Sequence, residues 1–219
     1  MIRNRLSELL SERGLKTSRV AKEVKIARSS LTSMIQNDTE MLRYDAIDKL
    51  CRYLHITPND FFEYMPINVD MSIQKTKNLF GLVNKGNLHD LSEVLVFLII
   101  EGDFLIDIEV ENEVKNYDCI LYLEKITKDY PYNKFIFTIK DEKEYVELKT
   151  KIDQLTPGFK KILFSKINNL IKNSFMEDIL KKVNEDISFP EFNDDDKEII
   201  LKNIQDSIFT IESSIFTEY

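Results

Sequence analysis

The chain has 219 residues, of which 43% are hydrophobic and 31% are charged, and its formal net charge is −8 at pH 7. That length and hydrophobic content agree with a soluble intracellular protein of two domains, each with a core of its own. The longest unbroken apolar run, residues 94–100, is too short to cross a bilayer, so we expect a cytoplasmic protein without membrane or targeting segments. The two cysteines and two histidines have no zinc-motif spacing, and we expect no cofactor.

The charges divide the chain into two parts of opposite sign. Residues 1–66 hold 11 Lys or Arg and 9 Asp or Glu, for a net charge of +2, and all arginines lie between Arg3 and Arg52. The remaining residues hold 19 basic and 29 acidic side chains, for a net charge of −10. Because nucleic-acid phosphates repel carboxylates, this distribution excludes wrapping of DNA around the whole chain and favours local binding by the first part.

Apolar residues at helical spacing predict a first helix from Ile2 to Arg13. Its inward side chains are Leu6, Leu9 and Leu10. Gly14 followed by Leu15 predicts a left-handed helix end with its usual hydrophobic contact.

Residues 17–37 predict two short helices joined by a tight turn at Lys25 and Ile26. The first helix has an apolar stripe of Val20, Ala21 and Val24, and the second has Leu31, Met34 and Ile35. The outward positions of the second helix are short or polar: Arg28, Ser29, Ser30, Thr32 and Ser33. Such a face suits a helix that enters the major groove of DNA, because a large side chain would hold the backbone away from the bases.

Two further helices complete the first part. The spacing predicts a fourth helix from Tyr44 to Leu54 that buries Ile47, Leu50, Cys51 and Leu54. Thr57, Pro58 and Asp60 predict the capped start of a fifth helix. Ile56, Phe61 and Phe62 are expected to close the core.

Residues 2–64 resemble the lambda-repressor-like helix-turn-helix family of the xenobiotic-response-element type, a five-helix DNA-binding domain of phage repressors and many bacterial regulators. The sequence departs from the family pattern at a few positions. Lys25 stands where the family usually has a turn glycine, and Ala27 where it usually has a capping Ser or Thr. Gln36 and Asn37 replace the familiar Asn-Gly ending, although Asn tolerates left-handed geometry well.

The resemblance implies two sets of DNA contacts. Base edges would be read by Arg28, Ser29 and Ser30, with Thr32 and Ser33 beside them. Phosphates would be held by Thr17, Ser18, Arg19, Arg43 and Tyr44.

The second part, residues 67–219, begins with a strand signal. Ile67, Val69, Met71 and Ile73 alternate with polar residues, and residues 78–89 predict a loop or weak strand. Residues 94–100, a turn at Glu101-Gly102-Asp103 and residues 104–111 predict a hairpin whose first arm is buried on both faces. Residues 119–124 and 135–139 predict two more strands, giving an antiparallel sheet of four or five strands.

Helical spacing follows Asp141. One helix is predicted from Thr156-Pro157, with inward Phe159, Leu163, Ile167 and Leu170, and residues 175–183 continue or restart it. A last helix is predicted from Asp194 through Ile200, Ile204 and Ile208. The fold class is therefore α+β: a five-helix DNA-binding domain at residues 1–66, then an antiparallel sheet with C-terminal helices that serves regulation or oligomerisation.

The sequence contains few candidates for catalytic or metal-binding motifs, and we expect that the protein is not an enzyme. Asp107, Glu109 and Glu111 lie on one strand face, which could bind a cation but is more typical of a solvated surface. Asp194–Asp196 suit a helix start better than a calcium loop, since the loop glycine and final acid are missing. His55 is expected to end a helix rather than to act as a ligand or base.

These patterns lead to two hypotheses of function. The first is a sequence-specific DNA-binding transcriptional regulator, most like a phage or mobile-element repressor that acts as a homodimer on palindromic operators. Its second domain could receive a protein or small-molecule effector. The alternative is an antitoxin-like or anti-repressor-like protein whose second domain sequesters another protein through its acidic sheet face and aliphatic C-terminal helix.

Overall fold

A computed structural model describes residues 1–39, 41–81, 86–95, 97–186 and 192–217. The chain forms two compact units, Met1–Ile67 and Asn68–Tyr219. Helices fill the first unit, and a mixed sheet with helices fills the second, so the predicted α+β class is confirmed. Among the described residues, no helix combines the length and apolar composition needed to cross a membrane.

The first unit contains short helices and a two-stranded ribbon. The helices are α1 (Leu6–Glu12), α2 (Thr17–Val24), α3 (Arg28–Ile35), α4 (Tyr44–Leu54) and α5 (Pro58–Phe61), and the ribbon pairs β1 (Ile2–Asn4) with β2 (Phe62–Tyr64). The core collects the predicted apolar stripes of all five helices. Ile47, Ile56 and Phe62, which were predicted to be buried, pack against this core but stay partly exposed. In α4, Ala46 is buried instead of Ile47.

The predicted start of the first helix at Ile2 is wrong, because residues 2–4 pair with β2 instead. The strands are antiparallel, with Ile2 opposite Tyr64 and Arg3 opposite Glu63. The buried Arg3 guanidinium contacts Glu8 and Glu63 at 2.6 and 2.5 Å. Helix α1 starts only at Leu6, whose N–H donates to Asn4 Oδ1 at 3.0 Å. A partner distant in the chain therefore overrides the local helical spacing.

Left-handed residues end the first four helices of this unit. Gly14 has φ +60°, Lys25 +56°, Asn37 +54° and His55 +54°. The Leu15 N–H donates to the Leu10 carbonyl at 2.9 Å, which confirms the predicted helix end at Gly14. His55 ends α4, as expected from the sequence.

The capped start of α5 is also confirmed. The Asp60 carboxylate accepts hydrogen bonds from the Thr57 hydroxyl at 2.6 Å and the Thr57 N–H at 2.9 Å. These two hydrogen bonds lower the pKa of Asp60. The helix lasts a single turn and passes directly into β2.

The second unit is built on a five-stranded sheet in the order β3-β4-β5-β6-β7. Its strands are β3 (Ile67–Gly81), β4 (Phe97–Val110), β5 (Glu113–Asp129), β6 (Tyr132–Ile139) and β7 (Ile208–Ile211). Strand β5 is antiparallel to both β4 and β6, whereas β7 is parallel to β6. The expectation of a wholly antiparallel sheet is therefore wrong at the β7 edge.

The hairpin turn predicted at Glu101-Gly102-Asp103 is also wrong. Strand β4 continues through Gly102, and the turn falls at Glu111 and Asn112, where φ is +51° and +67°. A Cβ on Gly102 would lie 3.0 Å from both the Gln74 carbonyl oxygen and Ile73 Cγ2, so this glycine provides space rather than a turn.

Two related predictions are corrected nearby. Val94, the first residue of the predicted arm, ends a short helix, α6 (Leu91–Val94), and Val96 lies outside the described residues. Strand β3 extends through Gly81 into the predicted 78–89 loop. Residues 82–85 of that loop also lie outside the described residues.

The helices that follow the β-hairpins are α7 (Val146–Asp153), α8 (Pro157–Asp186) and α9 (Asp194–Asp206), with a short 3₁₀ turn at Glu142–Glu144. The predicted start of α8 is confirmed, and the helix is continuous. Its buried residues recur at every fourth position: Phe159, Leu163, Ile167, Ile171, Phe175, Ile179 and Val183. Leu170, predicted to face inward, is only partly buried, and Ile171 is buried instead.

Helix α8 covers the sheet, because the Phe175 ring stacks on Phe137 of β6 at 5.3 Å. Helix α9 starts at Asp194 as predicted, after a capping box between Asn193 and Asp196. The expected continuation to Ile208 is wrong, since α9 ends at Asp206 and Ile208 begins β7. Phe209 of β7 stacks on Phe135 at 4.6 Å, a contact that favours the strand.

Candidate nucleic-acid interface

Helices α2 and α3 pack together through their apolar stripes. Val20 and Val24 of α2 and Leu31 and Met34 of α3 are all buried in one cluster. Lys25 makes the turn in a left-handed conformation, and the Ile26 N–H donates to the Ala21 carbonyl at 3.1 Å. The buried stripe fixes which side of α3 faces the solvent.

The structure places all five predicted base-reading residues on α3. Arg28, Ser29 and Ser30 are exposed, and Thr32 and Ser33 are partly exposed. At 1.5 Å per residue, the set spans roughly 8 Å of helix axis. The Thr32 hydroxyl donates to the Arg28 carbonyl at 2.9 Å, so it remains available chiefly as an acceptor.

Arg28 differs from the other arginines of the predicted site in its electrostatic surroundings. Its guanidinium is exposed, and no carboxylate of the described residues lies within 4 Å of it. Arg19 Nε lies 2.9 Å from Glu23 Oε1, and Arg43 Nε lies 2.9 Å from Asp45 Oδ1. Arg28 can therefore bind a new acceptor without breaking an ion pair to any residue that the structure describes.

The predicted phosphate-contacting residues lie at the starts of two helices. Thr17, Ser18 and Arg19 form the first turn of α2, and Arg43 and Tyr44 flank the start of α4. Tyr44 is 91% exposed, and the Arg43 side chain is 83% exposed. The first backbone N–H groups of a helix have no partner within it, so these positions combine side-chain donors with open amides.

The ion pair of Arg19 is part of a small surface network. Hydrogen bonds with Tyr53 and Arg19 lower the pKa of Glu23, which keeps this carboxylate charged. A phosphate bound at Arg19 would compete with Glu23 for the guanidinium. Since exposed ion pairs are weak and screened by salt, this competition is modest.

Sequence patterns missed one pair of residues beside α3. Asn4, in β1, donates from Nδ2 to the Met34 carbonyl at 2.8 Å. Its backbone N–H donates to Asn37 Oδ1 at 2.8 Å, and its carbonyl accepts from Asn37 Nδ2 at 3.0 Å. The tolerance of Asn37 for left-handed geometry was the one local signal; its contact with Asn4 depends on tertiary structure.

The acidic strand face of the second unit shows polar pairing. Asp107 accepts from Asn116 at 2.7 Å, and Glu109 accepts from Asn68 at 3.0 Å. Within the described ranges, no three His, Cys, Asp or Glu side chains are grouped closely enough to hold a metal ion. These contacts favour the interpretation of this face as a solvated surface.

Residues 5–66 match a family model described as the Cro/C1-type HTH DNA-binding domain. The match covers less than a third of the chain and lies within the first unit. It confirms the resemblance to lambda-repressor-like domains and supports a DNA-binding transcriptional regulator. No curated protein and no solved structure gives a significant match to the chain.

Proposed function

We propose that the chain is a sequence-specific, double-stranded DNA-binding repressor that acts as a homodimer on palindromic operators. In this proposal, residues 1–66 bind DNA, and residues 67–219 hold two copies together or receive a regulatory signal. The observation that carries the proposal is the outer face of α3, where the exposed Arg28 stands among short hydroxyl side chains.

The shape of α3 supports entry into the major groove. That groove is about 12 Å wide and admits a helix whose outer side chains are small. Ser29 and Ser30 are exposed and short, so the backbone can approach the base edges closely. Their hydroxyls can both donate and accept hydrogen bonds, which makes them less selective readers than Arg28.

The charge of Arg28 supports direct reading of guanine. Its two-pronged guanidinium matches the O6 and N7 acceptors of that base, a contact worth about 1–3 kcal/mol of discrimination. No ion pair with the described residues competes for it. We therefore assign the largest share of sequence preference to Arg28.

The helix starts at α2 and α4 support contacts to phosphate. Arg43 and Tyr44 are highly exposed, and Thr17, Ser18 and Arg19 accompany the open amides of α2. Contacts of this kind fix the register of a protein on DNA but carry no sequence information. Loss of one of them would weaken binding to all sequences alike.

Charge and size together support a dimer. A single copy of residues 1–66 reads few base pairs, and the net charge of −10 beyond residue 66 opposes additional DNA contacts by the second unit. Two copies of residues 1–66, bound to half-sites one helical turn or about 10 base pairs apart, would double the number of bases read.

The test is a selection of bound duplexes from a random library with the full chain. We expect enrichment of an inverted repeat, and binding of two chains per duplex by analytical ultracentrifugation. A duplex with the same bases in scrambled order serves as the control at physiological salt. Equal affinity for the selected and scrambled duplexes would contradict sequence-specific binding.

A further inference from the structure

The C-terminal end of α3 is closed by two backbone hydrogen bonds. The Asn37 N–H donates to the Met34 carbonyl at 3.0 Å, and the Asp38 N–H donates to the Ser33 carbonyl at 3.0 Å. Together with the left-handed Asn37, these bonds form the Schellman arrangement. The backbone therefore turns away from the axis of α3 directly after the helix, and these hydrogen bonds fix the position of Asn37 relative to α3.

The Asn37 side chain pairs with the free edge of β1. Its Oδ1 accepts from the Asn4 N–H at 2.8 Å, and its Nδ2 donates to the Asn4 carbonyl at 3.0 Å. The amide thus bonds both backbone groups of one residue, as a neighbouring strand would. Asparagine suits this position because it tolerates a left-handed backbone and carries both a donor and an acceptor.

The Asn4 side chain completes the connection from the other direction. It is 3% exposed, its Nδ2 donates to the Met34 carbonyl at 2.8 Å, and its Oδ1 accepts from the Leu6 N–H at 3.0 Å. Hydrogen bonds shielded from water in this way hold their geometry better than exposed ones. Residue 4 therefore ties together β1, the start of α1 and the end of α3.

Because Arg28 lies far from the C-terminal end of α3, a small change in the tilt of the helix at that end moves Arg28 by a larger distance. Arg28 lies six residues before Met34, or about 9 Å along the axis. A tilt of about 10° at the end of α3 would therefore shift the start of the helix by about 1.5 Å. Hydrogen bonds tolerate only about 0.5 Å of variation, so such a tilt would break a two-pronged contact with guanine.

We infer that Asn4 and Asn37 form a clamp on α3 and are positioning residues that set how well Arg28 discriminates between bases. The inference rests on the proposed function, because it assigns the clamp to the same DNA-reading face. Neither side chain needs to touch DNA in this role.

The test compares two substitutions of left-handed helix-end residues in the full chain. Asn37→Gly keeps the left-handed conformation available and removes the amide, so the helix end is retained while the clamp is lost. His55→Gly makes the same change at the end of α4 and is the matched control. Thermal unfolding of both variants checks that the first unit remains folded.

The readout is the ratio of affinities for the selected and scrambled duplexes. We expect Asn37→Gly to lower this ratio about tenfold or more through weaker binding of the selected duplex, whereas His55→Gly leaves the ratio unchanged. A merely structural role would not alter the ratio in a folded variant. An unchanged ratio for Asn37→Gly would overturn the inference.

A second variant and a DNA-free measurement keep the two proposals separable. Asn37→Asp keeps the acceptor and loses the donor, and should also lower the ratio. Hydrogen exchange of the Asn4 amide, measured by NMR without DNA, should accelerate about tenfold or more in Asn37→Gly because its acceptor is gone. Unchanged exchange would overturn the clamp itself. A wild-type ratio of one would overturn the proposed function, and with it the role of the clamp in base discrimination, even if the exchange result shows that the clamp exists.

Discussion

The two units of this chain differ in what determines where their elements end. In the first unit, helices of 7 to 11 residues stop at left-handed residues close to the sequence positions that predict them. In the second, α9 ends at Asp206 although its apolar pattern continues to Ile208, and residues 208–211 pair with β6 instead; β4 likewise runs through Gly102, paired with β5. The first unit is thus governed mainly by local signals, and the second by packing between residues far apart in sequence.

The difference predicts where substitutions are costly. In the first unit, the stability should depend strongly on the residues at helix ends. Three of the four left-handed residues there are not glycine and carry the strain of a Cβ in that conformation. In the second unit, close packing between α8 and the sheet should matter more, since aromatic rings and a glycine meet there.

The largest effect is expected for Phe175→Ala. Phe175 is fully buried and stacks on Phe137, so its removal should destabilise the second unit by about 3–5 kcal/mol. Urea titration monitored by hydrogen exchange and mass spectrometry reports each unit separately. Glu177→Ala, on the exposed side of α8, is the control and should change stability by less than about 0.5 kcal/mol. Equal loss of protection in both units for Phe175→Ala would contradict the assignment of this effect to the second unit.

Gly102→Ala should destabilise the second unit by about 1–3 kcal/mol, because the new Cβ would press on the Gln74 carbonyl oxygen at 3.0 Å. The matched change in the first unit, Gly14→Ala, meets no atom within 4 Å and costs only left-handed strain, about 1 kcal/mol. The same titration compares the two variants. A neutral Gly102→Ala would show that the strands can separate at this point.

Lys25→Gly should stabilise the first unit by about 1 kcal/mol, because glycine adopts the left-handed turn without the strain that a Cβ causes. Lys25→Ala removes the same charge and keeps the strain, so it separates the two effects. Thermal unfolding followed by circular dichroism measures both variants. If Ala and Gly stabilise equally, charge rather than backbone conformation controls the turn.

The smallest effect is a pH dependence in the second unit. Burial alone would raise the pKa of Glu142, but hydrogen bonds from Ser213, Ser214 and Ile215 outweigh it and hold the pKa below its usual value. This contribution is complete above about pH 5 and is lost as the pH falls through the lowered value. Glu142→Gln should therefore flatten the acid side of the stability curve. A curve of wild-type shape for Glu142→Gln would contradict this role.

In both units, the sequence predicted the elements that local signals determine and missed those that a partner distant in the chain determines. The bounds of α4, Tyr44–Leu54, follow from its apolar stripe and were predicted correctly. The ribbon strand at residues 2–4 was missed because its partner, β2, lies near residue 63. A turn was wrongly predicted at Gly102, because the sequence does not distinguish a glycine that makes room for neighbouring atoms within a strand from a glycine in a turn.

The candidate DNA-binding site could also be predicted only in part from the sequence. Helical periodicity alone places Arg28, Ser29, Thr32 and Ser33 on the outward side of α3, and in the structure these residues are exposed or partly exposed while Leu31 is buried. The ion pairs of Arg19 and Arg43, and the clamp between Asn4 and Asn37, depend on side-chain positions that periodicity does not encode. DNA-binding roles for the individual residues remain predictions.

The most direct measurement is a comparison of Arg28→Ala with Arg43→Ala across salt concentrations, using the selected and scrambled duplexes. Arg28→Ala should weaken binding to the selected duplex by at least about fivefold and leave the scrambled duplex nearly unaffected. Arg43→Ala should weaken binding to both and lower the salt slope by about one. If both variants weaken the two duplexes equally, α3 does not read bases and the proposed function is wrong.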